Sequence, residues 1–271
     1  MANVIKLRKG LDISIEGKAK EELVSIGKPK LFSLIPDDYV GVVPKVAVKE
    51  HEVVKAGTPL LFDRNNSDIK IVSPVSGVVK QVERGARRKI MNIIIEADTE
   101  QQFVDFGVKS VADLSVQEII ETLLKAGLFA YIKQRPYDVV ANPSVKPKAI
   151  FISSFDTNPL ARNFEVALKG EEDAFQYGID ILAKLAKVHL GVSVKQSSKA
   201  LTEVKNASLT LFDGPHPTGN VGVQIHHVSP INAGETVWTI DPEAVIFVGR
   251  LFKTGNRTRC LYELQKRRES L

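Results

Sequence analysis

Between residues 30 and 97, hydrophobic residues come in short runs separated by turn-forming residues. Residues 68–72 alternate polar and apolar side chains with period two, and residues 77–82 and 91–95 are further runs rich in Val and Ile. Closely spaced short strands with Gly and Pro between them are typical of a small all-β sandwich or barrel. The pattern therefore predicts a β-sandwich in this part of the chain.

A helical period replaces the alternation after residue 114. Ser115 and Glu118 have the spacing of a capping box, in which each side chain satisfies a backbone donor of the other residue. The apolar residues that follow share one helical face: Ile119, Ile120, Leu123 and Leu124. With Gly127 as a stop signal, the pattern predicts a helix over about 116–126.

From Pro147 onward, strands and helices alternate. The apolar run 149–152 is suited to a strand buried on both faces. Acidic residues at 171–173 favour a helix start, and apolar residues then recur at helical spacing as far as His189, with Gly191 as the expected end. A strand at 192–194, a short helix at 198–205 and a strand at 209–212 complete a Rossmann-like α/β layer with a parallel sheet.

The predicted fold class is therefore α/β plus β, in two domains and a tail. Residues 1–102 form a carrier-like β-sandwich domain with an N-terminal segment, and residues 103–253 form the Rossmann-like domain. Residues 254–271 are a basic tail. We expect a boundary near residues 100–110 because the hydrophobic period changes there.

The distribution of charge along the chain indicates whether it binds nucleic acid. The 271 residues carry a net charge of +5, which invites a nucleic-acid interpretation. However, seven basic and two acidic residues follow Gly249, so residues 250–271 account for all of the net charge and residues 1–249 are neutral. We therefore expect no nucleic-acid partner.

Cysteine content and hydropathy limit the cofactors that the chain could hold and the cellular setting that we expect. The single cysteine, Cys260, cannot form a disulfide within the chain or alone hold an iron–sulfur cluster, which needs several thiolates. No run approaches the roughly 18 apolar residues that span a bilayer, and the first residues lack the apolar core of a secretory signal. These features predict a cytoplasmic setting.

Residues 53–60 and 73–79 resemble biotinyl- or lipoyl-carrier domains, which are barrel-sandwich hybrids. In such carriers, a lysine on an exposed hairpin ahead of Pro74 receives the cofactor, but Asn66 stands at that place. A carboxamide cannot form the amide link, and Lys70 is too near the following strand to replace it. The resemblance implies the fold of a carrier without swinging-arm chemistry.

Nucleotide and metal sites are not expected. The strand at 150–152 runs into residues 153–159, which contain no glycine, and no phosphate-loop motif occurs. His226 and His227 are predicted to lie in a strand over 223–228, where adjacent side chains point to opposite faces and cannot easily share a metal. His216 lies in a loop rich in Pro and Gly, which is either a rigid strand-end turn or a ligand contact.

Two segments combine apolar and aromatic residues near chain breaks. Residues 127–137 interleave aromatic and basic residues, and residues 31–36 are apolar and end in a proline. Both fit interdomain packing, and both could contact a hydrophobic or flat aromatic molecule. The candidates for such contact are Phe32, Leu34, Phe129, Tyr131 and Tyr137.

Four regions together resemble one family. Residues 5–13 with Glu16 and Gly17, the carrier-like module, residues 214–220 and residues 249–252 are similar, in this order, to the A subunits of bacterial sodium-translocating NADH:quinone oxidoreductases. The resemblance extends over nearly residues 1–253. The tail does not resemble the family's continuation into further domains, so we expect a truncated or altered end.

The resemblance implies a peripheral subunit on the cytoplasmic face of the bacterial inner membrane, with the other subunits of the complex as partners. That complex uses NADH, flavins, iron–sulfur centres and quinone in or near other subunits. We expect this chain to bind no cofactor or metal and to be inactive in isolation, while supporting assembly and the quinone-reducing step. The five aromatic and apolar candidates would then face the quinone. Alternatives are a subunit of a related Rnf-type electron-transfer complex or an unmodified lipoyl-like interaction module.

Overall fold

The structure, a computed structural model, describes residues 3–13, 29–108 and 110–255. Contacts within the chain divide these residues into two units. The β unit comprises residues 29–108, 110–131, 138–141 and 250–255. The α/β unit comprises residues 3–13, 132–137 and 142–249.

The described strands are, in chain order, β1 (Asn3–Lys6), β2 (Leu31–Leu34), β3 (Pro44–Val46), β4 (Val53–Val54), β5 (Pro59–Asp63), β6 (Lys70–Val72), β7 (Gly77–Arg84), β8 (Ile90–Ala97), β9 (Lys133–Arg135), β10 (Val139–Val140), β11 (Ile150–Ser153), β12 (Val188–Ser193), β13 (Ser208–Asp213) and β14 (Val237–Thr239). The α-helices are α1 (Val116–Lys125), α2 (Phe164–Leu168), α3 (Glu172–Leu185), α4 (Lys199–Thr202), α5 (Val221–Val228) and α6 (Pro242–Thr254). Short 3-10 turns occupy Pro36–Asp38, Ala86–Arg88, Val111–Asp113 and Phe129–Tyr131.

The β unit contains two antiparallel sheets, with strand orders β2-β8-β7-β4 and β3-β5-β6. Val79, Ile93 and Ile95 of the first sheet are completely buried, and so are Leu60 and Leu61 of the second. Burial alternates along β2, whereas the adjacent Leu60 and Leu61 of β5 are both buried at a register shift. Both sheets thus withdraw apolar side chains from water. This confirms the β-sandwich prediction.

Helix α1 confirms the capping prediction. The Glu118 N–H donates to Ser115 Oγ at 3.2 Å, and the Ser115 N–H donates to Glu118 Oε2 at 3.0 Å. Gly127 follows with a φ of +65°, and a Cβ there would lie 2.7 Å from a methyl carbon of Val72. The helix ends at Lys125, within one residue of the predicted end, and glycine is needed at the turn that follows it.

The α/β unit is organised around a parallel sheet. Its strand order is β1-β13-β12-β11-β14, with β9 antiparallel at the β14 side. Helices connect the successive parallel strands, as a right-handed crossover topology requires. The Rossmann-like prediction is thus confirmed, and the sheet is continued by the N-terminal strand β1. The predicted grouping placed residues 1–102 together, whereas contacts place residues 3–13 in the α/β unit.

Two local predictions are wrong. The helix expected to reach His189 ends at Leu185, and His189 and Gly191 lie in strand β12. The run from Val188 to Val192 is buried throughout, so pairing with β11 and β13 on both sides outweighs continued helical periodicity.

The strand expected over 223–228 is helix α5. Asn220 begins it, because its side chain accepts a hydrogen bond from the Gly222 N–H at 2.8 Å. Ile225 and Val228 then lie with Val221 at helical spacing and pack on a cluster that includes Phe151. A short apolar run fits either structure, and the need to cover the sheet selects the helix.

Candidate functional site at the carboxyl edge of the parallel sheet

The strand order of the α/β unit creates a crevice. Strand β12 lies on one side of β11 and β14 lies on the other, so the chain leaves β11 in one direction and later returns on its opposite side. Ligands in open α/β sheets bind at such a switch point, outside the carboxyl ends of the strands. The topology alone therefore directs attention to the loops after β11 and β14.

A cavity of about 160 Å³ occupies this place. Its walls come from the loop after β11, the start of α2, the loop before α5 and the start of α6. It is lined by Ser153, Ser154, Phe155, Asp156, Arg162, Phe164, Gly219, Val221, Asp241, Pro242 and Glu243. We call it the switch-point cleft.

An ion pair forms one wall of the switch-point cleft. Arg162 Nη2 lies 2.8 Å from Glu243 Oε2, and the two side chains are 49% and 6% exposed. Glu243 lies in the first turn of α6, where the helix dipole favours a carboxylate. The pair links the loop before α2 to the beginning of α6.

Gln224 of α5 forms hydrogen bonds to the end of β11 and to the loop before α5, at the same carboxyl edge of the sheet. Its Nε2 donates to Ser153 Oγ at 2.9 Å and to the Thr218 carbonyl at 3.2 Å. The side chain is almost fully buried, and a Cβ on Gly191 would lie 2.1 Å from Gln224 Oε1. A Cβ at Gly191 would therefore force the Gln224 side chain out of its present position at this edge.

The His216 loop is bound to two other loops at this edge. His216 Nδ1 lies 3.0 Å from Thr157 Oγ1, which also accepts a hydrogen bond from the Gly219 N–H at 3.1 Å. The His216 N–H donates to Asp12 Oδ1 at 2.7 Å, and its carbonyl accepts from the Leu11 N–H at 3.0 Å. These bonds describe an anchored strand-end turn, and a ligand role for His216 stays a prediction.

The charge of the switch-point cleft determines what it can hold. Asp156, Asp241 and Glu243 outnumber Arg162, so the lining carries a net negative charge. Helix α6 also starts with a proline, which has no N–H to offer an anion. A pyrophosphate therefore finds neither the glycine loop nor the positive surroundings that it needs. Among the described residues, no group of three or more His, Cys, Asp or Glu side chains could hold a metal ion.

Comparison with known proteins identifies the family. Residues 5–98 match the model of the NqrA N-terminal barrel-sandwich hybrid domain, and residues 114–257 match that of the NqrA second alpha/beta domain. The chain belongs to the NqrA family. The two matched domains agree with the β-sandwich and the α/β layer, and they confirm the resemblance found in the sequence.

Curated NqrA relatives are named as the A subunit of the Na(+)-translocating NADH-quinone reductase. The chain is 34% identical to that of Pseudomonas aeruginosa over 258 residues, 36% to that of Cellvibrio japonicus over 256 and 35% to that of Hahella chejuensis over 259. The alignments cover 93–94% of this chain. They cover 57–58% of the relatives, so the chain spans little more than half of their length.

Four of the five quinone-facing candidates lie in the β unit of this NqrA-family chain. Phe32 and Leu34 share the buried face of β2, at 6% and 7% exposure, and Phe129 is completely buried. Tyr131 is half-buried and meets Tyr39 edge to face, with ring centroids 6.2 Å apart. Their role toward quinone stays a prediction.

Tyr137, the fifth candidate, belongs to the α/β unit and is 78% exposed.

Sequence reasoning missed Arg162, Gln224 and Glu243 of the carboxyl edge. Glu243 carried one usable signal, because an acidic residue directly after Asp-Pro marks a helix start. Arg162 and Gln224 carried no such sequence signal, because their partners are 81 and 71 residues away in the chain.

Across the described residues, no helix has the length and apolar character needed to cross a membrane.

Proposed function

We propose that this chain works within a Na⁺-translocating NADH-quinone reductase as a peripheral subunit on the cytoplasmic face of the membrane. It supports assembly and the quinone-reducing step, with the other subunits as partners. The observation that carries the proposal is the match of both domains to NqrA models, together with relatives named as the A subunit of that reductase.

A supporting role without a redox centre in this chain agrees with the chemistry of both units. At the β5–β6 turn, Asn66 accepts a hydrogen bond from the Asp68 N–H at 3.2 Å and offers no amine for acylation. In the α/β unit, the switch-point cleft presents carboxylates where a dinucleotide would bring its phosphates. Electrons would therefore pass through cofactors of the partner subunits.

The candidates for contact with quinone are Phe32, Leu34, Phe129, Tyr131 and Tyr137. A quinone ring needs apolar or aromatic walls and few polar contacts. Tyr131 has the best geometry because it retains an exposed surface and is braced by Tyr39. Replacing Tyr131 with Leu in the assembled complex should raise the KM for quinone more than it lowers kcat. An unchanged KM would remove Tyr131 from the contact surface.

The main test is deletion of this chain from the organism that encodes it. We expect membranes of the deletion strain to lose Na⁺-dependent NADH:quinone reduction and the assembled complex, and a plasmid copy to restore both. Persistence of assembly and activity without the chain would contradict the proposal. The absorbance spectrum of the purified chain is a second readout, in which visible flavin or iron–sulfur bands would contradict the absence of its own redox centre.

A further inference from the structure

The two longest strands of the β unit extend beyond their neighbours. Strand β2 pairs with β8 only from Ile93 to Glu96, and β4 pairs with β7 only at Gly77 and Val78. Beyond these points β7 and β8 pair with each other, and Glu83 lies opposite Asn92. Residues 83–92 are thus a two-stranded projection, which we call the basic arm.

The basic arm carries four cationic side chains and one carboxylate, Glu83. The cations are Arg84, Arg87, Arg88 and Lys89. Lys89 Nζ lies 2.6 Å from Asp37 Oδ2, and Glu83 accepts a hydrogen bond from Asn92. Within the part of the chain that the structure describes, Arg87 and Arg88 have no carboxylate partner. The tip of the basic arm therefore presents positive charge that is not compensated by a fixed anion.

The turn at the tip presents these arginines outward. Arg87 and Arg88 have φ angles of +53° and +61°, a left-handed conformation in which glycine or asparagine is favoured. The Gly85 N–H donates to the Lys89 carbonyl at 2.8 Å, and the Lys89 N–H donates to the Ala86 carbonyl at 3.2 Å. Because these two backbone hydrogen bonds close the turn, the side chains of Arg87 and Arg88 are not needed for it. They remain exposed at the end of the projection.

We infer that the basic arm binds the anionic headgroups of membrane phospholipids. Guanidinium groups match phosphate oxygens in a bidentate geometry, and cations near an anionic bilayer each strengthen binding. Met91, 41% exposed beside the turn, adds an apolar contact. The arm has no aromatic residue on which a nucleic-acid base could stack. The inference rests on the proposed peripheral position at a membrane.

The test is cosedimentation of the full chain with vesicles of phosphatidylcholine alone and with vesicles containing about one third phosphatidylglycerol. We expect binding to the anionic vesicles only, weakened by salt. The variant Arg87→Asn/Arg88→Asn removes two charges while retaining residues that suit the left-handed turn. Its affinity should fall about 25-fold, since each cation near the surface contributes about fivefold.

Matched controls separate the arm from general basicity. Lys30→Gln/Lys55→Gln removes two exposed charges at the other end of the β7–β8 pair and should change the affinity less than about twofold. Arg87→Lys/Arg88→Lys keeps the charge and should retain most binding. Equal losses in the Asn and Lys30/Lys55 variants, or equal binding to both vesicle types, would overturn the inference.

A local readout removes any contribution from the tail. Ala86→Trp places a fluorophore at the tip, whereas the natural Trp238 is buried in the α/β unit. Anionic vesicles should shift the emission of the new tryptophan to shorter wavelength. No shift, or a larger response to DNA of equal phosphate concentration, would overturn the inference. A chain that restores the complex yet ignores vesicles would contradict this inference alone and leave the proposed function intact.

Discussion

Two turns of the β unit and the loops at the carboxyl edge of the α/β unit are held by different kinds of contact. The two turns of the β unit use local contacts: Ser115 and Glu118 are three residues apart, and the Asp68 N–H donates to Asn66 two residues away. In the α/β unit, the loops at the carboxyl edge are joined by residues 81 apart in Arg162–Glu243 and 204 apart in His216–Asp12. Local contacts form as soon as their segment orders, whereas the distant ones form only after several strands have assembled. A change at a long-range contact should therefore cost more than a change at a local cap.

The largest effect is expected at the crossing of α3 and α6. A Cβ on Gly249 would lie 1.7 Å from the Ala174 carbonyl oxygen, and one on Gly178 would lie 2.1 Å from the Val245 carbonyl oxygen. Because the obstacles are backbone atoms, the two helices must separate. We expect Gly249→Ala to lower the free energy of unfolding of the α/β unit by about 3 kcal/mol or more. Denaturant unfolding followed by the fluorescence of Trp238, which is buried in that unit, measures this loss.

Gly170→Ala is the matched control. Gly170 has a φ of +80°, but a Cβ there meets no atom within 4 Å. Only left-handed strain remains, so the cost should be about 1–2 kcal/mol. If Gly249→Ala and Gly170→Ala lower the free energy of unfolding equally, close packing of the two helices is not the reason that position 249 needs glycine.

Elements with local signals were predictable from the sequence. The capping box fixed the start of α1, and the alternation of strands and helices indicated the parallel sheet. The β-sandwich also followed from short runs and turn residues. Predictions failed at His189 and at residues 223–228, because buried pairing and coverage of the sheet decided those segments. The switch-point cleft was missed for a similar reason, since its residues come together only through the strand order.

The next largest loss of stability is expected at the Arg162–Glu243 ion pair in the wall of the switch-point cleft. Arg162→Ala removes the guanidinium from a Glu243 carboxylate that is only 6% exposed. Removing one partner of a fully buried pair is strongly destabilising, but water reaches the half-exposed arginine and screens the interaction. We expect a loss of about 1–2 kcal/mol, measured by Trp238 fluorescence.

Arg162→Ala/Glu243→Gln completes the comparison. If the buried charge causes the loss, adding Glu243→Gln should restore part of the stability. A double variant less stable than Arg162→Ala would instead mean that Glu243 acts through its other contacts.

A smaller loss is expected at the local cap of the β unit. Ser115→Ala removes the acceptor for the Glu118 N–H and leaves a first-turn donor without it. The expected cost is about 1 kcal/mol, visible as faster hydrogen exchange of α1 amides, while Ser115→Asp should preserve protection. A loss for Ser115→Ala as large as for Gly249→Ala would erase the distinction between local and long-range contacts.

The smallest effect is a pH dependence that belongs to the α/β unit. His189 stacks on Phe151 with ring centroids 4.7 Å apart and is 8% exposed. Burial, followed by the charge of Lys187, lowers the pKa of His189 below its ordinary value of 6.5. The unfolded chain therefore takes up a proton that the folded chain excludes, so stability falls as the pH drops below about 6.5. One proton limits the slope to about 1.4 kcal/mol per pH unit. In His189→Leu, Trp238-monitored unfolding between pH 7 and 5 should show a shallower slope than in the parent. Identical slopes would mean that His189 does not contribute, whatever the effect of the substitution on stability at neutral pH.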